Sequence, residues 1–82
     1  MEPIRVKLDY PYDYQGELHE EMVISRRPRV SDQLAAGRAG KDAATQEIAL
    51  LANLCGVVPE ALHEMDMADY GKLQKVLQTF LS

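Results

Sequence analysis

With 82 residues and one cysteine, the chain is sized for a single domain with one core, and an internal disulfide framework is excluded. A formal charge of −4 and a pI near 5.0 disfavour a general nucleic-acid binder, which needs a net basic surface. The opening MEPIRVKLDY has no basic-then-apolar signal pattern, and apolar runs such as IALLA are too short to span a membrane, so a reducing cytoplasm is the expected setting.

The first predicted element is a strand. In IRVKL, Ile4, Val6 and Leu8 alternate with Arg5 and Lys7. ELHEEMVI predicts a second strand, with Leu18, Met22 and Ile24 on one face and His19, Glu21 and Val23 on the other. Pairing the two sets opposite charges across the hairpin, Arg5 and Lys7 against the His19–Glu21 side. Between them lies YPYDYQG, in which Tyr10, Tyr12 and Tyr14 stand at every second position. Pro11 lacks a ladder donor, and Asp9 and Asp13 stand where a base-stacking platform would carry Arg or Lys. The tyrosines are therefore expected to clamp the hairpin onto the core, with partner contact as their second role.

RRPRVSDQLAAG breaks the strand at Pro28 and starts a helix, with Ser31 as the expected N-cap and Val30 as a staple. Gly37 and Gly40 are expected to end that helix early, leaving GRAGKD as a mobile loop. The next helix runs from Asp42 to a C-cap at Gly56. On it Ala44, Ile48, Leu51 and Cys55 form one stripe, and Leu50 with Leu54 a second. VVPEALHEM holds a short helical turn with Pro59 at its first position. Asp66 caps a terminal helix whose apolar face is Tyr70, Leu73, Val76, Leu77, Phe80 and Leu81. Gly71 within it suggests a close packing contact. The fold class is α+β: an N-terminal β-hairpin, about residues 3–25, followed by about three helices over 31–81, in one small domain.

Charge is unevenly placed. Up to Glu21 there are six acids and two bases; from Arg26 to Lys41, five bases and only Asp32; from Asp42 onward, six acids against Lys72 and Lys75. A solvated segment offsetting its neighbours is the simpler reading of this basic island, and a binding patch the alternative.

Catalytic and metal motifs are incomplete. HEEMV and HEMDM each begin a zinc-protease helix, but Val23 and Met67 stand where the second histidine belongs. Cys55 and His63 have no partners at zinc-site spacing. Cys55 falls on an apolar helix face, Ser31 is explained by capping, and no acid pair stands in a recognisable catalytic context. No enzyme activity, cofactor or metal is expected. TQEIALLANLCGVVPEALHEM has the spacing of a helix-turn-helix, but its second helix would offer Pro59, Glu60, Ala61 and Glu64 to phosphates that repel acids.

Two longer segments carry a resemblance. VKLDYPYDYQGELHEEMVISRRPRVSDQL gives a strand, a Pro–aromatic–Gly loop, a second strand, an Arg–Pro exit and a Ser-Asp helix start. IALLANLCGVVPEALHEMDMADYGKLQKVLQTFL gives a Leu/Ala helix, a Gly-Val turn and an Asp-Tyr run into a terminal helix. Together, from about Ile4 to Leu81, they resemble the small tail assembly chaperones of contractile-tailed phages and prophages, including Mu-like ones. That resemblance implies an assembly factor that keeps the long tape measure protein soluble while tube subunits polymerise around it, then leaves. It implies action in the cytoplasm of the bacterial host, with the tape measure protein as partner and a homo-oligomer as a possibility.

The residues chosen for partner contact are Leu50, Leu54, Met65 and Met67, then Tyr12 and Tyr14. A surplus apolar stripe with adaptable methionines suits repeated, reversible capture of apolar helix faces, although the same residues suit this domain's own core or a homo-oligomer contact equally. The alternatives are a nucleic-acid-binding regulator using Arg26, Arg27, Arg29, Arg38 and Lys41, and a structural tail subunit.

Overall fold

The computed structural model describes residues 1–82. In chain order it contains strands β1 (Ile4–Tyr14) and β2 (Glu17–Ile24), then helices α1 (Val30–Ala39), α2 (Ala43–Cys55), α3 (Pro59–His63) and α4 (Met67–Leu81). This is the α+β order that the sequence predicts, hairpin first and helices after.

The strands pair antiparallel, with Ile4 opposite Ile24 and Tyr14 opposite Glu17. Alternation puts Val6, Leu8, Met22 and Ile24 on the inner face, where all four are buried. On the outer face Arg5 donates to Glu21 at 2.7 Å, as the charge pattern predicts. Both strands are edges of a two-stranded sheet, so Pro11 is accommodated inside β1 rather than ending it. The register carries a bulge: residues 8–11 lie between the Lys7–Glu21 and Tyr12–His19 pairs, spanning only Glu20 on β2. A bulge increases twist and re-aims the side chains beyond it. In the outer half of the hairpin Leu18 is exposed, contrary to the alternation, and Tyr12 and His19 are half-buried instead.

The bulge frees two backbone N–H groups, and α4 supplies their acceptor. Asp69 in the first turn of α4 is fully buried; its carboxylate accepts from Asp9 N–H at 2.9 Å and Tyr10 N–H at 3.0 Å. Lys72, one turn on, reaches Asp69 at 3.2 Å, Asp9 at 2.9 Å and the Lys7 carbonyl at 3.0 Å. Burial alone raises a carboxyl pKa; here the Asp9 and Tyr10 N–H groups and Lys72 outweigh it and hold Asp69 below its ordinary value.

Helix boundaries mostly follow local signals. Asp42 caps α2 by accepting from Thr45 N–H at 2.9 Å, and Asp66 caps α4 by accepting from Ala68 N–H at 2.8 Å. Gly56 ends α2 with φ of 70°, a left-handed conformation that glycine adopts without strain, and Val57 N–H returns to the Ala52 carbonyl at 3.0 Å.

The start of α1 differs from expectation. The helix begins at Val30, not after Ser31, and Asp32 does the capping by accepting from Arg29 N–H at 2.8 Å. Arg26 grips the same carboxylate with two hydrogen bonds, each 2.7 Å. Val30 is 74% exposed and staples nothing. The Arg26 hydrogen bonds, with help from Arg29 N–H, pull the Asp32 pKa from 3.8 to about 2. Asp32 therefore stabilises the fold fully above pH about 4 and loses that contribution as pH falls towards 2. Unfolding free energy is expected to fall with pH across that window, and Asp32→Asn to flatten the slope in acid titrations followed by circular dichroism.

The expected mobile loop contracts. Helix α1 continues through Gly37 to Ala39, because its packing on α2 outweighs the propensity cost of one glycine. The connection that remains is fastened by Gln46 Nε2 donating to the Gly40 carbonyl at 2.9 Å and Thr45 Oγ1 donating to Asp42 at 2.7 Å. A Cβ on Gly40 would lie 2.7 Å from Thr45 Cγ2, so the glycine here is a matter of space.

Gly71 is the opposite case and corrects the expectation of a close contact, since nothing lies within 4 Å of a Cβ built there. Gly71→Ala is accordingly expected to stabilise the protein by about 0.5–1 kcal/mol in urea unfolding.

One core unites these elements. Val6, Leu8, Met22 and Ile24 meet Leu51, Ala52 and Leu54 of α2, Leu62 and Met65 around α3, and Leu73 and Leu77 of α4. The Leu54 carbonyl also accepts from Ser25 N–H at 3.3 Å, tying the end of β2 to the end of α2.

Candidate functional site

The six residues predicted to contact a partner do not form one surface. Leu54 is fully buried and Met65 nearly so, both within the core. That corrects the idea of an exposed Leu50–Leu54 stripe: α2 is covered on several sides, and its Ala49, Leu51, Ala52 and Leu54 are all buried. Tyr12 is half-buried; its hydroxyl donates to the Ala61 carbonyl in α3 and its ring lies 5.3 Å from His19, so it clamps the hairpin as the first reading of the tyrosines has it. Tyr14 is half-buried near the hairpin turn, while Tyr10 is exposed. Met67 is 80% exposed, but it stands at the opposite end of α4 from Leu81, about 20 Å away at 1.5 Å per residue.

Leu50 is where the structure opens a concavity. Helices α1 and α4 flank α2, and the space above α2 is a trough of about 460 Å³. Its apolar surface comes from Val30 and Ala36 of α1, Ala43 and Leu50 of α2, and Leu77 and Leu81 of α4. Polar groups at its margin are Arg29, Gln33, Gln46 and Glu47. Glu47 is already committed, since its Oε1 accepts from Tyr70 Oη and Gln74 Nε2, each at 2.8 Å. Burial and that carboxylate push the Tyr70 hydroxyl pKa upward, so it serves as a fixed donor joining α4 to α2.

The sequence reading missed the trough's walls. Val30 was assigned to a staple, and Leu77 and Leu81 to the inward face of the last helix. A usable signal existed in Val30 itself, an apolar residue at the first position of a short helix that buries only Asp32 and Ala36.

Burial raises the Cys55 thiol to about 11, so almost none is thiolate at neutral pH. No three His, Cys, Asp or Glu side chains converge on one point. His63 borders a smaller hollow of about 260 Å³ between α2 and α3. In the basic island, Arg26 is bound to Asp32, and Arg27 stacks over the Phe80 ring at 5.1 Å while donating to the Phe80 carbonyl at 3.3 Å. Two of the five cations offered to nucleic acid are thus spent on the fold.

The hairpin and helices thus frame one apolar trough. The family model for phage tail assembly chaperone proteins, E, or 41 or 14, matches residues 5–82. The chain belongs to the phage tail assembly chaperone family. No curated protein and no solved structure matches it significantly. As a tail assembly chaperone it has tail proteins as its class of partner, and none of its helices is long and apolar enough to cross a membrane.

Proposed function

We propose that this chaperone binds the tape measure protein and keeps it soluble during tail assembly in the host cytoplasm. The trough over Leu50 carries the reading. It is an apolar concavity fringed by large exposed side chains on a member of a tail assembly chaperone family. Leu50 is the proposed central contact. Met67 and Tyr14 are secondary contacts on separate surfaces, while Leu54, Met65 and Tyr12 act by holding the fold.

Co-expression with the tape measure protein tests this directly. The chaperone is expected to raise the soluble yield of its client and to co-purify with it at low and high salt, since apolar burial supplies most of the affinity. Leu50→Gln is expected to return the client to the pellet while the chaperone's own circular dichroism stays native. A client that is equally insoluble with and without the wild-type chaperone would overturn the proposal. The chaperone is also expected to be absent from purified particles, which separates it from a structural subunit.

A further inference from the structure

A two-stranded sheet has two outer edges, and this fold occupies only one of them. Along β1, α4 takes up backbone groups: Asp69 accepts from the Asp9 and Tyr10 N–H groups, and Lys72 donates to the Lys7 carbonyl. Nothing comparable lies along β2. No backbone N–H or C=O from Glu17 to Ile24 is hydrogen-bonded to a group outside the hairpin. The first such bond comes one residue later, where Ser25 N–H donates to the Leu54 carbonyl at 3.3 Å. Leu18, Glu20 and Glu21 are exposed along the bare stretch. The strand is eight residues long, enough to pair with one extended segment.

Side-chain charge selects the segment. Strand β2 holds Glu17, Glu20 and Glu21 and no Lys or Arg. Glu21 is bound to Arg5 across the hairpin at 2.7 Å, whereas Glu17 and Glu20 form no ion pair. The strand that β2 accepts on its inner side is β1, whose IRVKL alternates apolar residues with Arg5 and Lys7. A second copy of the chain cannot supply a matching strand. Its β1 already lies between β2 and α4. Its β2, paired antiparallel about the middle, would set Glu20 and Glu21 against the same acids, and like charges directly opposite destabilise a ladder. The acids thus guard the edge against self-pairing while leaving it open to cations.

We propose that the free edge of β2 takes an extended segment of a partner protein, alternating in Lys or Arg, as a third strand of the sheet. Backbone pairing supplies the register, and Glu17 and Glu20 select the sign of the partner's charge. This contact is separate from the trough and does not depend on the tape measure reading.

The test uses the full-length, isotope-labelled chain and two synthetic octapeptides, one alternating valine with lysine and one alternating valine with glutamate. By amide-shift titration the lysine peptide is expected to bind about tenfold more tightly, with shifts concentrated between Leu18 and Val23 and added salt narrowing the gap. Methylating every second backbone nitrogen of the lysine peptide removes its ladder donors on one side and is expected to abolish binding, which attraction between charges alone would not do. The double variant Glu17→Lys, Glu20→Lys is expected to reverse the preference while retaining native circular dichroism. No binding of the lysine peptide at millimolar concentration, equal binding of the lysine and glutamate peptides, or full binding of the methylated peptide would each overturn the proposal. So would shifts confined to the trough around Val30 and Leu81, or sedimentation and exchange showing the β2 edge covered by a second copy. Client rescue through Leu50 is read separately by co-expression, so failure at the edge leaves the trough reading standing, and loss of rescue leaves the edge binding intact.

Discussion

Asp69→Ala is expected to lower the melting temperature by on the order of 10 °C or more, a large effect for one polar residue in a domain of this size. The carboxylate is the acceptor for the Asp9 and Tyr10 N–H groups at the β1 bulge, and it is fully buried. Alanine leaves both donors without their acceptor and Lys72 with only Asp9 and a carbonyl. Asp69→Asn separates acceptor from charge. One amide oxygen can still accept, but the NH₂ group faces the other N–H, so the loss is expected to be only somewhat smaller. Differential scanning calorimetry with the hairpin amides followed by hydrogen exchange gives the readout. Exchange at Tyr10 should rise in both variants while α2 keeps its protection relative to global stability. A melting temperature within a degree or two of wild type for Asp69→Ala would mean that water satisfies the bulge.

That anchor marks where the sequence stops being readable. Features set by neighbours a few residues apart were legible: the Val6/Leu8 and Met22/Ile24 alternation, the caps at Asp42 and Asp66, Pro59 at the start of α3 and Gly56 at the end of α2. Asp69 looks like an ordinary first-turn acid, because its partners lie 59 and 60 residues away. Asp32 reads as a dipole residue, and only the fold brings Arg26 round to it. Gly37 reads as a stop signal, yet a cost of about 1 kcal/mol is small beside the packing of α1 on α2. The site was half legible for the same reason. Leu50 and Leu54 are indistinguishable by periodicity on a helix rich in apolar residues all round, and only the positions of α1, α4 and the hairpin decide which one stays accessible.

That distinction makes alanine at Leu50 and at Leu54 two different experiments. Leu54→Ala removes a fully buried side chain from the centre of the core, with an expected cost of about 2–5 kcal/mol. A domain of 82 residues has roughly 4–12 kcal/mol in total, so this variant stands near the edge of folding. Leu50→Ala trims a half-buried side chain at the trough, with an expected cost of about 1 kcal/mol. Urea midpoints should therefore separate the pair widely. Client solubility should be lost in both, but for different reasons: Leu54→Ala loses the client together with its own native signal, and lowering the temperature restores both. Leu50→Ala keeps its native signal and binds the client more weakly at every temperature. Were Leu54→Ala to remain as stable as Leu50→Ala, the core packing around α2 would be misassigned. Were Leu50→Ala to bind the client as wild type does, the trough would lose its place as the binding surface, whatever Leu54 does.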